Sequence, residues 1–404
     1  MSRPLEGLRV VEVAMWAFVP AAAAILSDMG ADVIKVETHG GDPIRGLTTS
    51  GIPPGAYGFT FMWEIFNRGK RSITIDLNVE GATDVLHRLL ADADVFLTSL
   101  LPQTRRKLKI DVEDVMNRHP KIIYAVGSGQ GAFGPDAEKG GFDGISFWSR
   151  GGTSSGLTPE GQLYPVGMPG PAFGDSLSGA IFAGGIAAAI AKRALTGKPS
   201  IVDASLFGTS VWAMQPGIVA TSLTGELDLP RTDRFAVPNP LVNTYRTSDS
   251  RYIRLAMLQG QKYWAGLCRA IKRDDLIDDH RFQSDAQRAA NVGECIALLD
   301  EIFASRPLSE WKNILASQEG QWDVIKKVGE ILDDPQVAAN KFIQDVDYGD
   351  GRLIKMASVP IQFDREHLPA RPAPALGEHS DTVLSELGYD EQQILDFRIA
   401  GIVL

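Results

Sequence analysis

Six short runs of β-branched and aliphatic residues, separated by helical patterns, restrict what this chain can fold into more than any other feature. LRVVEV from Leu8, ADVIKVE from Ala31, SITID from Ser72, VFLTS from Val95, IIYAV from Ile122 and IVDASLF from Ile201 each read as a strand. Between them, PAAAAILSDMG sets Pro20 in a first helical turn and Gly30 at a stop. VEGATDVLHRLLADA is a second helical pattern, and Asp111 stands where a helix N-cap is expected. Near-continuous apolar strands alternating with helices predict an α/β fold with a parallel sheet covered on both faces, a Rossmann-like layout.

At 404 residues the chain is too long for one ordinary core, so more than one domain is expected. The first runs over 1–223. From 224 to 335 the pattern changes to a hairpin, NTYRTSDSRYIRLAM, followed by QKYWAGLCRAI, SDAQRAANVGECIALLDEIFAS and LSEWKNILAS as helices, a smaller α+β domain. The remainder, 336–404, holds RLIKMASVPIQF as a strand and HSDTVLSELG and EQQILDFRIA as helices.

A net charge of −10 leaves no positive field to recruit nucleic acid or anionic lipid, and neither is expected as a partner. LSGAIFAGGIAAAIA is short and rich in Gly and Ala for a membrane span, and MSRPLEGLRVVEVA lacks the layout of a signal peptide. Cys268 and Cys295 show no metal-type spacing and read as buried free thiols, so a cytoplasmic, reducing location is expected.

The chemistry narrows by exclusion. AMWAFVPAA, the turn after the first strand, has no glycine, so backbone amides cannot approach a dinucleotide pyrophosphate. His39, His87, His119, His280, His367 and His379 are scattered, with no metal-binding spacing and no hydrolase triad order, so no metal is expected. What remains is one acid, Asp175, in PAFGDSLSGAIFAGG, at the start of an apolar helical run. As an N-cap it would accept the free amides of the first turn; as a nucleophile it would be kept ionised by the same helix end, with amides nearby for an oxyanion. Two basic segments, FNRGKRS and LPQTRRKLKI, could meet a phosphorylated ligand or could be solvated surface.

PLEGLRVVEVA, GADVIKVE, FNRGKRSITIDL, ADVFLTSLLP with RRKLKID, AFGDSLSG and LGEHSDTVLSELG, in this order along nearly the whole chain, resemble the class III CoA-transferases. These include the carnitine and bile-acid CoA-transferases and formyl-CoA:oxalate transferase. The resemblance implies a large Rossmann-like domain to which 336–404 returns, a smaller inserted domain, and two subunits interlocked as rings. It implies that CoA moves from an acyl-CoA to a carboxylic acid acceptor, with Asp175 forming covalent aspartyl intermediates. Coenzyme A is then a substrate and no cofactor is permanently bound. Matching the family's CoA-binding positions are Met15, Trp16 and Ala17 after the first strand, Asn67, Lys70 and Arg71 in FNRGKR, and Arg106 and Lys107 in RRKLK.

Two departures separate branches of that family. The racemases place a histidine before the aspartate of GHD; here GFDG has Phe142, which cannot move a proton, leaving Asp143 as a structural acid. VPNPLVNTYR stands where the oxalate enzyme has a tetraglycine loop. Aromatic residues Trp16, Phe147 and Trp148 would favour a bulky apolar acid over a small diacid, unless they only pack the core. An acyl-CoA isomerase or racemase, and an inactive acyl-CoA-binding relative, are the alternatives.

Overall fold

In the computed structural model, which describes residues 3–47, 60–228 and 233–404, the chain divides into two compact units. One is formed by Met1–Leu229 with Ala338–Leu404, the other by Pro230–Val337.

All six apolar runs form strands of one parallel sheet in the first unit. In chain order its elements are β1 (Arg9–Val13), α1 (Phe18–Asp28), β2 (Asp32–Glu37), α2 (Phe61–Asn67), β3 (Arg71–Thr74), α3 (Ala82–Leu90), β4 (Val95–Thr98), α4 (Pro102–Lys107), α5 (Val112–Arg118), β5 (Ile123–Ser128), α6 (Thr153–Leu157), α7 (Phe173–Thr196), β6 (Ile201–Ser205), α8 (Leu206–Ala213) and α9 (Gln215–Thr224). The sheet order is β3-β2-β1-β4-β5-β6, with Val11 of β1 in register with Ile34 on one side and Phe96 on the other. This is a doubly wound sheet, and its strand order reverses between β1 and β4.

Alternate strand residues face opposite layers, and both layers are apolar. Val10, Val33, Leu97 and Ile123 pack under α1 and α7. Val11, Ile34, Phe96 and Tyr124 pack under α3, α5 and the C-terminal helices Ser380–Glu386 and Glu391–Ile399, through Leu384 and Ile394. Each such side chain removed from water contributes roughly 1.5–3 kcal/mol. Asp111 caps α5 in a reciprocal capping box with Asp114. Helix α7 lies against α1, where Gly179 permits the approach: a Cβ there would sit 2.6 Å from that of Ala21.

Three local features go beyond the sequence reading. The Gly-rich stretch before Asp175 holds a π-helical turn over Gly144–Arg150 as well as α6. RLIKMASVPIQF does contain a strand, Leu353–Ala357, but its antiparallel partner Ile343–Asp347 has too polar a sequence, IQDVD, to announce itself. The apolar run after Asp175 is buried on one face only. Gly179, Phe182 and Ile186 are covered, while Phe173, Leu177 and Ile181 form an exposed stripe. By length and composition this helix could cross a membrane; in the fold it is a layer of the sheet domain.

The second unit pairs the hairpin Thr244–Arg246 and Tyr252–Leu255 with Trp322–Val324 in an antiparallel sheet. Its core centres on Trp264, Phe303 and Trp311. Cys268 and Cys295 are both buried there as free thiols.

Candidate active site

Parallel sheets open a crevice where the strand order reverses, because the loops leaving neighbouring strands run to opposite faces. Here a cavity of about 470 Å³ occupies that place. Its walls come from the loop after β1 (Met15, Trp16), the loop after β4 (Ser99 to Leu101), the exit of β5 (Val126 to Gly129) and the segment holding Phe142 and Ile145. Asp175 closes it from the first turn of α7.

The loop after β1 is held in an unusual conformation. Trp16 has φ 71°, in the left-handed region that costs a non-glycine residue about 1 kcal/mol or more. Its amide donates to Asp42 Oδ1 (3.1 Å) and the Met15 amide to Ser99 Oγ (3.0 Å), which fixes the indole at the cavity. There the ring meets Phe142 edge-on, with centroids 5.4 Å apart.

Asp175 does not cap its helix. The N-cap is Ala172, itself left-handed at φ 58°, and Asp175 is the third helical residue. The cap comes from another segment: Asp143 Oδ2 accepts the amides of Gly174 (2.8 Å) and Asp175 (3.4 Å). These amides are therefore occupied and are not free to serve an oxyanion, contrary to the sequence reading. Gly174 is required for this approach, since a Cβ on it would collide with Asp143 Oδ1 and the Phe147 ring. Asp143 is thus a structural acid, as its place in GFDG suggested, and the group it serves is the first turn of α7.

Two carboxylates now share one helix end. Asp143 is buried and its Oδ1 has no partner. Burial pushes its pKa up, while the amides of Gly174 and Asp175 pull it back. Half-buried Asp175 is raised to about 7, first by burial and then by the charge of Asp143. Among the described residues no group donates a hydrogen bond to its carboxylate and no cation acts on it. Asp175 is thus an acid poised to ionise near neutrality, not one locked as an anion.

The expected CoA-binding positions divide. Met15 and Trp16 line the cavity. Ala17 is buried with Ile44, Met62 and Trp63. Lys70 is wholly buried: its ammonium pairs with Glu12 Oε2 (2.6 Å) and donates to Asn67 Oδ1 (2.9 Å) and the Pro20 carbonyl (3.1 Å). Desolvation lowers its pKa to about 8. Lys35 completes this internal network, bridging Glu12 and Asp42 at 3.0 Å each. Asn67 is likewise buried and donates to the Trp63 carbonyl. Arg71 binds Asp32 and Glu386, Arg106 pairs with Glu138 on the surface, and Lys107 donates to Asn78. None of these five lines the cavity.

The cations that do line it are Arg105 and Lys139. Arg105 is one residue from a chosen position, yet it faces the cavity while pairing with Asp111 and donating to the Leu100 carbonyl. Lys139 is exposed and pairs with Asp136. His87 and His119, distant in sequence, also meet, with Nδ1 and Nε2 3.1 Å apart, at a second surface cavity. Among the described residues no cluster of three or more ligands suits a metal.

The sequence profile of CoA-transferase family III matches residues 5–380. The chain belongs to CoA-transferase family III. It is 32% identical to the (R)-2-hydroxy-4-methylpentanoate CoA-transferase of Clostridioides difficile over 99% of both chains. It is 28% identical to the cinnamoyl-CoA:phenyllactate CoA-transferase of Clostridium sporogenes, over 96% of this chain and 94% of that one. Among solved structures, a CAIB/BAIF family protein from Brucella suis superposes with a TM-score of 0.82 at 30% identity, covering 96% of this chain and 100% of the other. Rv3272 from Mycobacterium tuberculosis gives 0.79 at 28%, covering 94% and 99%. As a family III CoA-transferase the protein is an enzyme, and CoA transfer between acyl groups is the general reaction into which its site must fit.

Proposed function

We propose that this family III CoA-transferase moves CoA from an acyl-CoA to the carboxylate of an organic acid, with Asp175 as the acyl acceptor. The observation carrying this reading is a carboxylate that, among the described residues, no donor or cation restrains, lining a cavity at the sheet's switch point with Arg105 and Lys139 on its wall.

The ionised Asp175 oxygen attacks the thioester carbonyl, the C–S bond breaks, and CoA thiolate leaves an aspartyl acyl anhydride. The thiolate then attacks the aspartyl carbonyl, forming an aspartyl-CoA thioester and releasing the donor acid. The acceptor carboxylate attacks that thioester, and returning thiolate attacks the acceptor's acyl carbon, which yields the new acyl-CoA and restores Asp175. No proton or oxidant is needed in balance, and the acyl groups stay activated as thioester or anhydride from donor to product. A carboxylate with pKa near 7 is about half ionised at neutral pH and more basic than an ordinary one, which favours attack. Trp16 and Phe142 supply an apolar wall of the cavity in which the anhydride would form.

Arg105 and Lys139 are the CoA phosphate ligands in this reading, with Met15 and Trp16 along the pantetheine, in place of the five basic and polar positions held elsewhere. A homodimer, interlocked as in the relatives the sequence resembles, is part of the same proposal. The exposed stripe Phe173, Leu177 and Ile181, together with Trp212 on α8 and Leu223 on α9, supports a covering partner. Buried free thiols at Cys268 and Cys295 are in keeping with a cytoplasmic enzyme.

Asp175→Ala should abolish transfer and leave no hydroxylamine-trappable adduct while retaining CoA binding; substantial residual transfer would refute the assignment. Phe142 makes racemisation the weaker reading, and deuterium exchange at the acyl α-carbon would revive it.

A further inference from the structure

Where β1 gives way to α1, side chains from other segments take up the backbone polar groups of the chain. The Val13 carbonyl accepts from Thr98 Oγ1 (2.9 Å) and the Ala14 carbonyl from Lys35 Nζ (2.8 Å). The Met15 amide donates to Ser99 Oγ (3.0 Å) and the Trp16 amide to Asp42 Oδ1 (3.1 Å). Two of these partners are themselves joined. The Lys35 ammonium meets Asp42 Oδ2 and Glu12 Oε1 at 3.0 Å each, and all three side chains are shut away from water.

Ion pairs in an interior add little stability over apolar packing of the same volume, whereas a left-handed tryptophan persists only where its surroundings hold it. Asp42 is the residue at which the two meet. Its Oδ1 also accepts the Ile44 amide (3.0 Å), so the carboxylate is fixed by Lys35 on one oxygen and by two amides on the other. Trp16, at φ 71°, lines the cavity that Asp175 also lines.

We infer that Asp42 is a positioning residue of the transfer reaction: clamped by Lys35, it holds Trp16 in its left-handed conformation and so keeps the indole at the cavity. The inference rests on acyl-CoA reacting with Asp175 in that cavity. Misplacing part of a reacting site by about 1 Å costs up to roughly 100-fold in rate.

The test compares Asp42→Asn with Asp42→Ala in the full chain. Both lose the charge paired with Lys35 and both should melt below the parent, but only Asn keeps an oxygen for the Trp16 and Ile44 amides. Per folded enzyme, Asp42→Ala should lower kcat/KM by about 10- to 100-fold and Asp42→Asn by less than about threefold. Equal losses, or no loss in Asp42→Ala, overturn the inference. Trp16→Gly supplies the second arm, since glycine takes a positive φ unaided and presents no indole. Trp16→Gly should itself lower kcat/KM, and adding Asp42→Ala to it should cost less than about twofold more. A full additive loss, or parental kinetics in Trp16→Gly, overturns action through Trp16. Fluorotryptophan labelling reads the clamp without turnover: the ¹⁹F resonance missing from Trp16→Gly should move in Asp42→Ala and hold in Asp42→Asn. A resonance unmoved in Asp42→Ala overturns the clamp. If Asp42→Ala does not fold, Asp42→Asn decides, because a loss equal to that of Trp16→Gly overturns the inference. Asp175→Ala run alongside separates the two levels. Its inactivity beside a fully active Asp42→Ala overturns the positioning role alone, whereas transfer surviving in Asp175→Ala overturns both.

Discussion

Replacing Asp175 with Asn should make the protein inactive and, above neutrality, more stable. The side chain keeps its shape and loses its charge. Asp175 has a pKa of about 7 in the fold against an ordinary 3.8, raised by burial first and by Asp143 second. The folded protein therefore holds a proton that the unfolded chain has released between pH 4 and 7, and stability falls as pH rises through that window. Above pH 7 the cost is complete, at most about 4 kcal/mol from 1.36 kcal/mol per tenfold change in proton affinity, and about 2–4 kcal/mol once partial exposure is allowed for. Urea denaturation of both proteins at pH 4, 6 and 8 gives the comparison. The variant should match the parent at pH 4 and exceed it by this margin at pH 8. A gap that is constant with pH, or largest in acid, would refute electrostatic frustration at this helix end.

Other substitutions separate neighbouring roles. Asp143→Asn keeps a carbonyl to accept the Gly174 amide but removes the repelling charge, so the rising limb of kcat/KM against pH should move from near 7 to lower pH. A limb that stays put would show burial alone sets it. Gly174→Ala forces a methyl against Asp143 and Phe147 and should destabilise by about 1–3 kcal/mol in thermal melts while disproportionately lowering kcat. Lys70→Met strands half of Glu12 in the interior and should cost about 3–5 kcal/mol, with CoA affinity of the folded fraction unchanged by calorimetry. Arg105→Ala should weaken CoA binding several-fold where Lys107→Ala does not; the reverse order would return the phosphate site to the surface cluster.

The strands were legible because a strand covered on both faces must be apolar throughout, and six such runs separated by helices admit few arrangements. Ile343–Asp347 escaped because an exposed hairpin strand carries no such signature. Around Asp175 the helix was evident but its cap was not: the capping acid lies 32 residues upstream, and no local spacing connects Asp143 with Gly174. Positive charge in FNRGKRS was visible, but its destination was not, because the Lys70 ammonium is neutralised by Glu12 from a different strand. Arg105 and Arg106 show the limit sharply. Adjacent on one short helix, they point different ways, one to the cavity and one to Glu138 at the surface.

The pairing of Asp143 with the start of α7 has a kinetic corollary. Any acyl group joined to Asp175 erases one of two mutually repelling charges, so the covalent states of this enzyme should be its most tightly knit, and the resting state its loosest. Hydrogen exchange in the first turn of α7 ought then to slow when the enzyme is loaded and quicken when it is emptied, making the helix a gauge of each half-reaction.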